Sequence, residues 1–263
     1  MLPYLAILSA RFRMLLQYRA AALGGFLCQL FWGLIRTMIF TAFYASTDAP
    51  QPISLEQVIT YVWLGQAMLA LMPYRLDREM RELMRSGNVV YELLKPVDLY
   101  FFWYSRNVAS RVAPVLLRCF PMFLVAGLFL GLSGPASLAS ALAWLAATAG
   151  AVLLGCAISN CLAITMMWTV VGDGAWQLTS ATLWLLSGMI VPLPLFPDWM
   201  QPVLSMLPFG MMVDMPFRLY MGHLPPEAVF ELMGLQLMWA LAFIVFGRSL
   251  LSLGLRRLVV QGG

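Results

Sequence analysis

From Cys119 to Gly172 the chain runs 54 residues without an Asp, Glu, Lys, Arg or His. A helix crossing the hydrocarbon of a bilayer takes about 20 apolar residues, so this stretch holds two spans. Ser133-Gly134-Pro135 sits where the hairpin between them should turn. A chain with such a stretch has lipid as its main solvent, and its function must be read from the few places that admit charge. Composition agrees: 62% of residues are hydrophobic and 11% charged, against about 45–50% and 25% in soluble domains. The 263 residues form one transmembrane domain, 1–263, with no length left for a second, soluble one. The predicted fold class is all-α, a polytopic membrane protein with about six transmembrane helices.

Apolar segments place the spans at 20–44, 55–74, 111–131, 137–170, 175–191 and 228–250. Residues 1–19 are not a secretory signal, because Arg11, Arg13 and Arg19 follow the first apolar residues instead of preceding them. On a helix, Tyr4, Leu5, Leu8, Phe12, Leu15 and Leu16 share a face opposite Ala6, Ser9, Arg13 and Gln17. That pattern suits a helix lying in the membrane interface. Of 16 basic residues, 14 fall at the N-terminus, in the segment 75–118, or at Arg248, Arg256 and Arg257 near the C-terminus. The positive-inside rule then puts both termini and the 75–98 hairpin in the cytoplasm, with the chain in the cell's inner membrane. The same rule accounts for a pI near 9.0 without nucleic acid as a partner. Cys28, Cys119, Cys156 and Cys161 have no zinc or disulfide spacing and read as apolar packing residues.

The one dense charge run is Arg75-Leu-Asp-Arg-Glu-Met-Arg-Glu-Leu-Met-Arg85. Arg75–Glu79, Asp77–Arg81 and Arg78–Glu82 are opposite-charge pairs at i,i+4 and favour a helix. Leu76, Met80, Leu83 and Met84 make a narrow apolar stripe beside them. Gly87 stops that helix. Lys95-Pro96 is a second break, and Asp98 can cap a new helix from Leu99, which opens with the aromatic run Tyr100-Phe-Phe-Trp-Tyr104. A short charged helix with an apolar stripe and no soluble domain to pack against reads as a docking element for a cytosolic partner.

The order of parts resembles the permease subunits of type-2 ABC exporters, in particular the small stand-alone six-span permeases that work in pairs. An interfacial helix and two spans precede a charged helix and Arg85-Ser-Gly-Asn-Val-Val-Tyr-Glu-Leu-Leu-Lys-Pro96; four spans follow. A second match is Ser187-Gly-Met-Ile-Val-Pro192 through Leu195-Phe-Pro-Asp-Trp199 to Leu207-Pro-Phe209, similar to that family's segment of short re-entrant helices between the last two spans. The resemblance implies a half-transporter that encloses its pathway with a second permease, identical or, as the pairing favours, a related one in a heterodimer. Cytosolic ABC ATPase subunits would dock on the charged helix, at Arg75, Arg78, Glu79, Arg81, Glu82 and Arg85, and on the turn holding Asp173, whose single charge is fewer than the family pattern provides. ATP and Mg would bind those subunits; this chain binds no cofactor and is not itself an enzyme.

The residues support that division of labour. No G-x-x-x-x-G-K-[ST] occurs, so the chain has no P-loop for ATP phosphates. His223 is the single histidine and lies in an outer loop, and no paired carboxylates sit at metal or glycosidase spacing. The outer segment 192–227 holds eight prolines, too many for a spanning helix, yet it is rich in Trp, Met, Leu and Phe. It reads as a re-entrant cap over the pathway's outer side. Polar residues inside spans, Arg36, Gln66, Asn160 and Gln177, are the pathway candidates. Arg36 is expected to pair with Glu56 or Glu231 or to face an anionic substrate. The competing reading is an ion-coupled secondary transporter, but no span centre carries an acidic residue for it to use.

Overall fold

The structure is a computed structural model that describes residues 2–73, 78–86, 88–167 and 173–256, and the described residues form helices and no strands. Helix α1 (Leu2–Leu16) passes through a tight turn at Gln17-Tyr18 into α2 (Arg19–Ala45). Ser54 opens α3 (Leu55–Met68) with a capping box: its hydroxyl accepts from the Gln57 N–H at 3.2 Å, and Gln57 Oε1 accepts from the Ser54 N–H at 2.9 Å. A 3-10 turn, Leu69–Leu71, closes that helix. The short helices α4 (Arg78–Arg85) and α5 (Val89–Glu92) precede Lys95-Pro96. Asp98 caps α6 (Leu99–Phe129) through the Phe101 N–H at 3.0 Å, and Ser137 caps α7 (Leu138–Thr165) through the Ser140 N–H at 3.0 Å. After α8 (Asp173–Leu186) the backbone breaks into a 3-10 turn Leu193–Leu195, α9 (Gln201–Met206), a 3-10 turn Gly210–Met212 and α10 (Asp214–Tyr220). Helix α11 (Ala228–Leu255) follows.

Four of the described helices, α2, α6, α7 and α11, are long and apolar enough to cross a membrane. They carry the expected spans 20–44, 111–131, 137–170 and 228–250. The expected aromatic helix at Leu99 and the third span are one 31-residue rod, about 46 Å long, with Pro114 and Pro121 inside it. The stretches 55–74 and 175–191 are shorter than expected: α3 and α8 have 14 residues each, about 21 Å. α3 tightens before Pro73, and α8 ends at Ser187-Gly188. Gly188 holds φ at +86°, and a Cβ there would stand 2.3 Å from the Tyr61 hydroxyl. Only glycine takes both that backbone and that contact.

Helix α7 is the axis of the bundle. In its apolar stretch 61% of residues are buried, against 17–22% in α2, α6 and α11. Helix α11 packs along α7, α1 lies along α6, and α2 leans on α3 and α6. Gly33 of α2 is the close approach: a Cβ there would stand 2.3 Å from the Trp63 ring. Trp63 is fully buried and donates to the Leu130 carbonyl at 3.0 Å, which joins α3 to the end of α6. Between Met68, Met72, Met189, Met212 and Phe217 lies a cavity of about 10 Å³, room for about one water. Flexible thioethers fill this interior.

Candidate functional site

The hairpin end of the bundle is tied together by charge. Glu79 on α4 accepts from Arg11 of α1 at 2.7 Å and forms an ion pair with Arg106 of α6 at 2.6 Å. Asp98 pairs with Arg248 of α11 at 3.0 Å, and its N–H donates to the Tyr4 hydroxyl at 3.0 Å. Lys95 pairs with Glu92 at 2.9 Å and lies over the Phe102 ring at 4.3 Å. Of the predicted local pairs, Arg75 and Asp77 lie outside the described residues, as do the side chains of Arg78 and Arg85. Glu79 thus ties α4 to α1 and α6 through two guanidinium groups.

Met80 departs from its expected docking role. It is 2% exposed, packed with Val89 of α5, Trp103 of α6, Ile164 of α7, Trp176 of α8 and Leu251 of α11. The chain supplies its own cover for this part of the apolar stripe. What it leaves uncovered lies one turn of chain later: Tyr91 is 68% and Leu94 78% exposed, with Leu93 and Glu82 also exposed. Sequence reasoning noted 85–96 as a motif but took no residue between 86 and 96 as a site. The signal was present in Tyr91-Glu-Leu-Leu94, which ends two residues before Pro96, where no amphipathic helix can turn the leucines inward. Arg81 sits half-buried on α4. Asp173 begins α8, and its side chain lies outside the described residues.

Above this platform is a polar network that the charge count had treated as topology. Arg111, 5% exposed, donates to the Leu71 carbonyl at 3.0 Å and to the Ser159 hydroxyl. Asn107 donates to Asn160 Oδ1, and Asn160 donates to the Tyr100 carbonyl at 3.1 Å. These bonds lock α6 to α7 and cap the C-terminal carbonyl end of the α3 segment with a cation. Asn160, fully buried, is therefore a strut between helices.

The remaining pathway candidates stand apart from it. Gln66 is 4% exposed on α3, and Gln177 is exposed on α8. Arg36 donates to the Ile190 carbonyl at 2.8 Å, just past α8. Its expected partner Glu56 instead accepts from the Ser133 hydroxyl at 2.7 Å. No hydrogen bond among the described residues joins any two of the four candidates. A backbone carbonyl in a broken segment offers Arg36 a nearer acceptor than a carboxylate at a helix start.

At the other end the proline-rich segment is held by buried side-chain bonds. Gln236 of α11, fully buried, donates to the Ala147 carbonyl at 3.0 Å and to the Met211 carbonyl at 2.8 Å. Gln201 reaches the carbonyls of Leu193 and Phe196 at 3.3 and 3.1 Å. The Tyr220 hydroxyl donates to the Ser133 carbonyl at 3.1 Å. Asp214, 2% exposed, accepts the Tyr61 hydroxyl at 3.1 Å and faces Arg218 at 3.7 Å. Burial pushes its carboxyl up to about 6, partly opposed by Arg218 and by hydrogen bonds from Tyr61 and the Leu193 N–H. His223 is lowered by burial and by Arg218. These bonds tie the broken backbone to α3, α7 and α11. Trp199 and Met206 remain exposed at 76% and 75%.

A protein-family model described as ABC-2 family transporter protein matches residues 30–262. No curated protein and no solved structure matches the chain.

Proposed function

The chain belongs to the ABC-2 transporter family, and on that premise we propose that it is the permease subunit of an ATP-driven ABC exporter in the cell's inner membrane. Six crossings are made, the two short ones by α3 and α8 with their adjoining turns. Both termini and the 75–98 hairpin face the cytoplasm, and the distribution of 14 of 16 basic residues supports that orientation. A second permease, identical or related, completes the pathway. The filled interior of this chain favours a pathway between permeases, with Gln177 facing it from α8; Gln66 and Asn160 serve as internal struts and Arg36 holds the base of the cap.

Separate ATPase subunits, which bind ATP and Mg, dock on the hairpin. The observation that carries this reading is the exposure of Tyr91, Leu93 and Leu94 on a hairpin whose Met80 and Val89 are buried. Exposed apolar side chains at Tyr91, Leu93 and Leu94, a few residues along the chain from the charged helix α4, offer an apolar centre, and an apolar centre with a charged rim is the ordinary anatomy of a protein interface. Val89, two residues before Tyr91, shares the Met80 cluster with side chains of α6, α7, α8 and α11, so a push on the hairpin reaches most of the bundle as one packed body. ATP binding would draw the two ATPases together, move the two hairpins and open the pathway outward. Asp173, at the start of α8, would meet the same ATPase.

The test is purification of the tagged chain from its own membranes in mild detergent, with mass spectrometry and an ATP hydrolysis assay on the eluate. A P-loop ATPase should co-purify with wild type and with Trp199→Ala, and be lost with Leu94→Asp and with charge reversal of Arg78, Arg81 and Arg85. ATPase association and transport that survive both hairpin changes would make the assignment wrong.

A further inference from the structure

Arg118 lies 19 residues beyond the start of α6, within its apolar length, and neither α6 nor α2 contains an acidic residue. Its guanidinium rests on the backbone of Gly25 in α2: a Cβ at Gly25 would stand 2.3 Å from Arg118 Cζ and 2.6 Å from both terminal nitrogens. Among the described residues Arg118 Nε has no hydrogen-bond partner. One turn further along the same face of α2, Gln29 is 4% exposed and its Oε1 also lacks a partner. Arg118 Nε and Gln29 Oε1 are therefore both without a partner, although the buried cations of α6, Arg106 and Arg111, are paired. Groups buried from water in this way are normally satisfied. The seat opens outward, since Arg118 is partly exposed and Cys28, on the same side of α2, is exposed. Gly25 lies six residues into α2, about 9 Å along its axis, and α2 is about 40 Å long, the thickness of a bilayer with its headgroups. This depth is just inside the boundary between headgroups and hydrocarbon, which a long arginine side chain can reach.

We propose that Arg118, seated on Gly25 with Gln29 beside it, binds the headgroup of an anionic phospholipid. The guanidinium takes the phosphodiester oxygens in its planar fork, and Gln29, buried one turn along α2, floors the seat. The site requires only that the helices sit in a bilayer, so it stands or falls apart from the ATPase-coupled reading. An arginine that merely reaches toward water would extend along α6; this one is folded onto a glycine of another helix, a position that a single methyl group would close.

The experiment is native mass spectrometry of the full chain released from nanodiscs containing phosphatidylcholine and phosphatidylglycerol, counting retained lipid. Wild type should retain phosphatidylglycerol in preference to phosphatidylcholine. Arg118→Gln should lower that retention about tenfold, the scale of one charge-assisted pair. Gly25→Ala keeps the charge but fills the seat, displacing only the flexible end of Arg118, and should also lower retention. Gly24→Ala adds a methyl group where nothing lies within 4 Å and should match wild type. Equal retention by wild type and Arg118→Gln overturns the site, as does a loss in Gly24→Ala as large as in Gly25→Ala. Displacement of the lipid by inorganic phosphate in the buffer would assign a free anion and overturn the lipid.

Discussion

At the scale of single residues, the cap end depends on side chains whose polarity is at odds with their burial. Asp214 is the clearest. Its folded carboxyl is raised from 3.8 to about 6 by burial, so the native state holds a proton that the unfolded chain would release. The sign follows from linkage: this stability is fully present below about 4 and is lost as pH rises through about 6, by up to ~3 kcal/mol. His223 slopes the other way, because its lowered folded value disfavours protonation as pH falls. The difference between wild type and Asp214→Asn isolates the acid. Thermal unfolding of the two in detergent, followed by tryptophan fluorescence, should show wild type losing stability relative to the variant between pH 4 and 7; parallel profiles would contradict the buried-acid geometry. Gln236 makes a companion case. Gln236→Leu removes the donor from the Met211 carbonyl and should cost ~1–3 kcal/mol, read as a lowered unfolding temperature with α-helical circular dichroism unchanged.

At the scale of elements, the hairpin separates into a buried half and an exposed half, and the two should respond differently to truncation. Met80→Ala opens a hole in a cluster drawn from five other helices and should destabilise by ~2–5 kcal/mol. Leu94→Ala, at 78% exposure, should change stability by less than ~0.5 kcal/mol while weakening ATPase co-purification. Thermal melts of the two variants check the first contrast and the pull-down checks the second. Helix contact at Gly33 offers a third: Gly33→Leu should separate α2 from α3, costing more than the ~1–3 kcal/mol typical of overpacking, because Trp63 is fully buried and bonded behind it. The helix starts here were legible in the sequence, since Ser54, Asp98 and Ser137 are local capping signals. The Asp98 start of α6 falls where Lys95-Pro96 placed it. The direction of α4's apolar stripe was not legible, because whether Met80 meets a partner or its own chain depends on α6, α7, α8 and α11 arriving at that point. Periodicity within eight residues carries no information about them.

At the scale of the whole molecule, a membrane bundle of long apolar helices with one end charged and the other proline-broken could be read from composition and charge asymmetry, and the family match bears out the permease resemblance. The interior network was hidden for a physical reason: arginines near a helix end score as topological charges, while Arg111 is in fact folded inward onto Ser159 and the Leu71 carbonyl. The bond from Arg36 to the Ile190 carbonyl was hidden similarly, because backbone carbonyls in a broken segment are invisible as acceptors until the fold brings them near. On the proposed reading the architecture works as a lever: a charged hairpin at one end, a buried cluster linking it to α7 and α11, and the proline-rich segment pinned to the same two helices by Gln236. The most direct test is disulfide-forming cross-linking in native membranes. Leu94→Cys and Trp199→Cys are each placed in a background whose exposed Cys28 is serine, with the ATPase identified by mass spectrometry. A nucleotide-sensitive cross-link to a P-loop ATPase from position 94, and none from position 199, is the expected result. An ATPase cross-linked at 199, or none at 94 while the complex is intact, would contradict the orientation and the coupling role together.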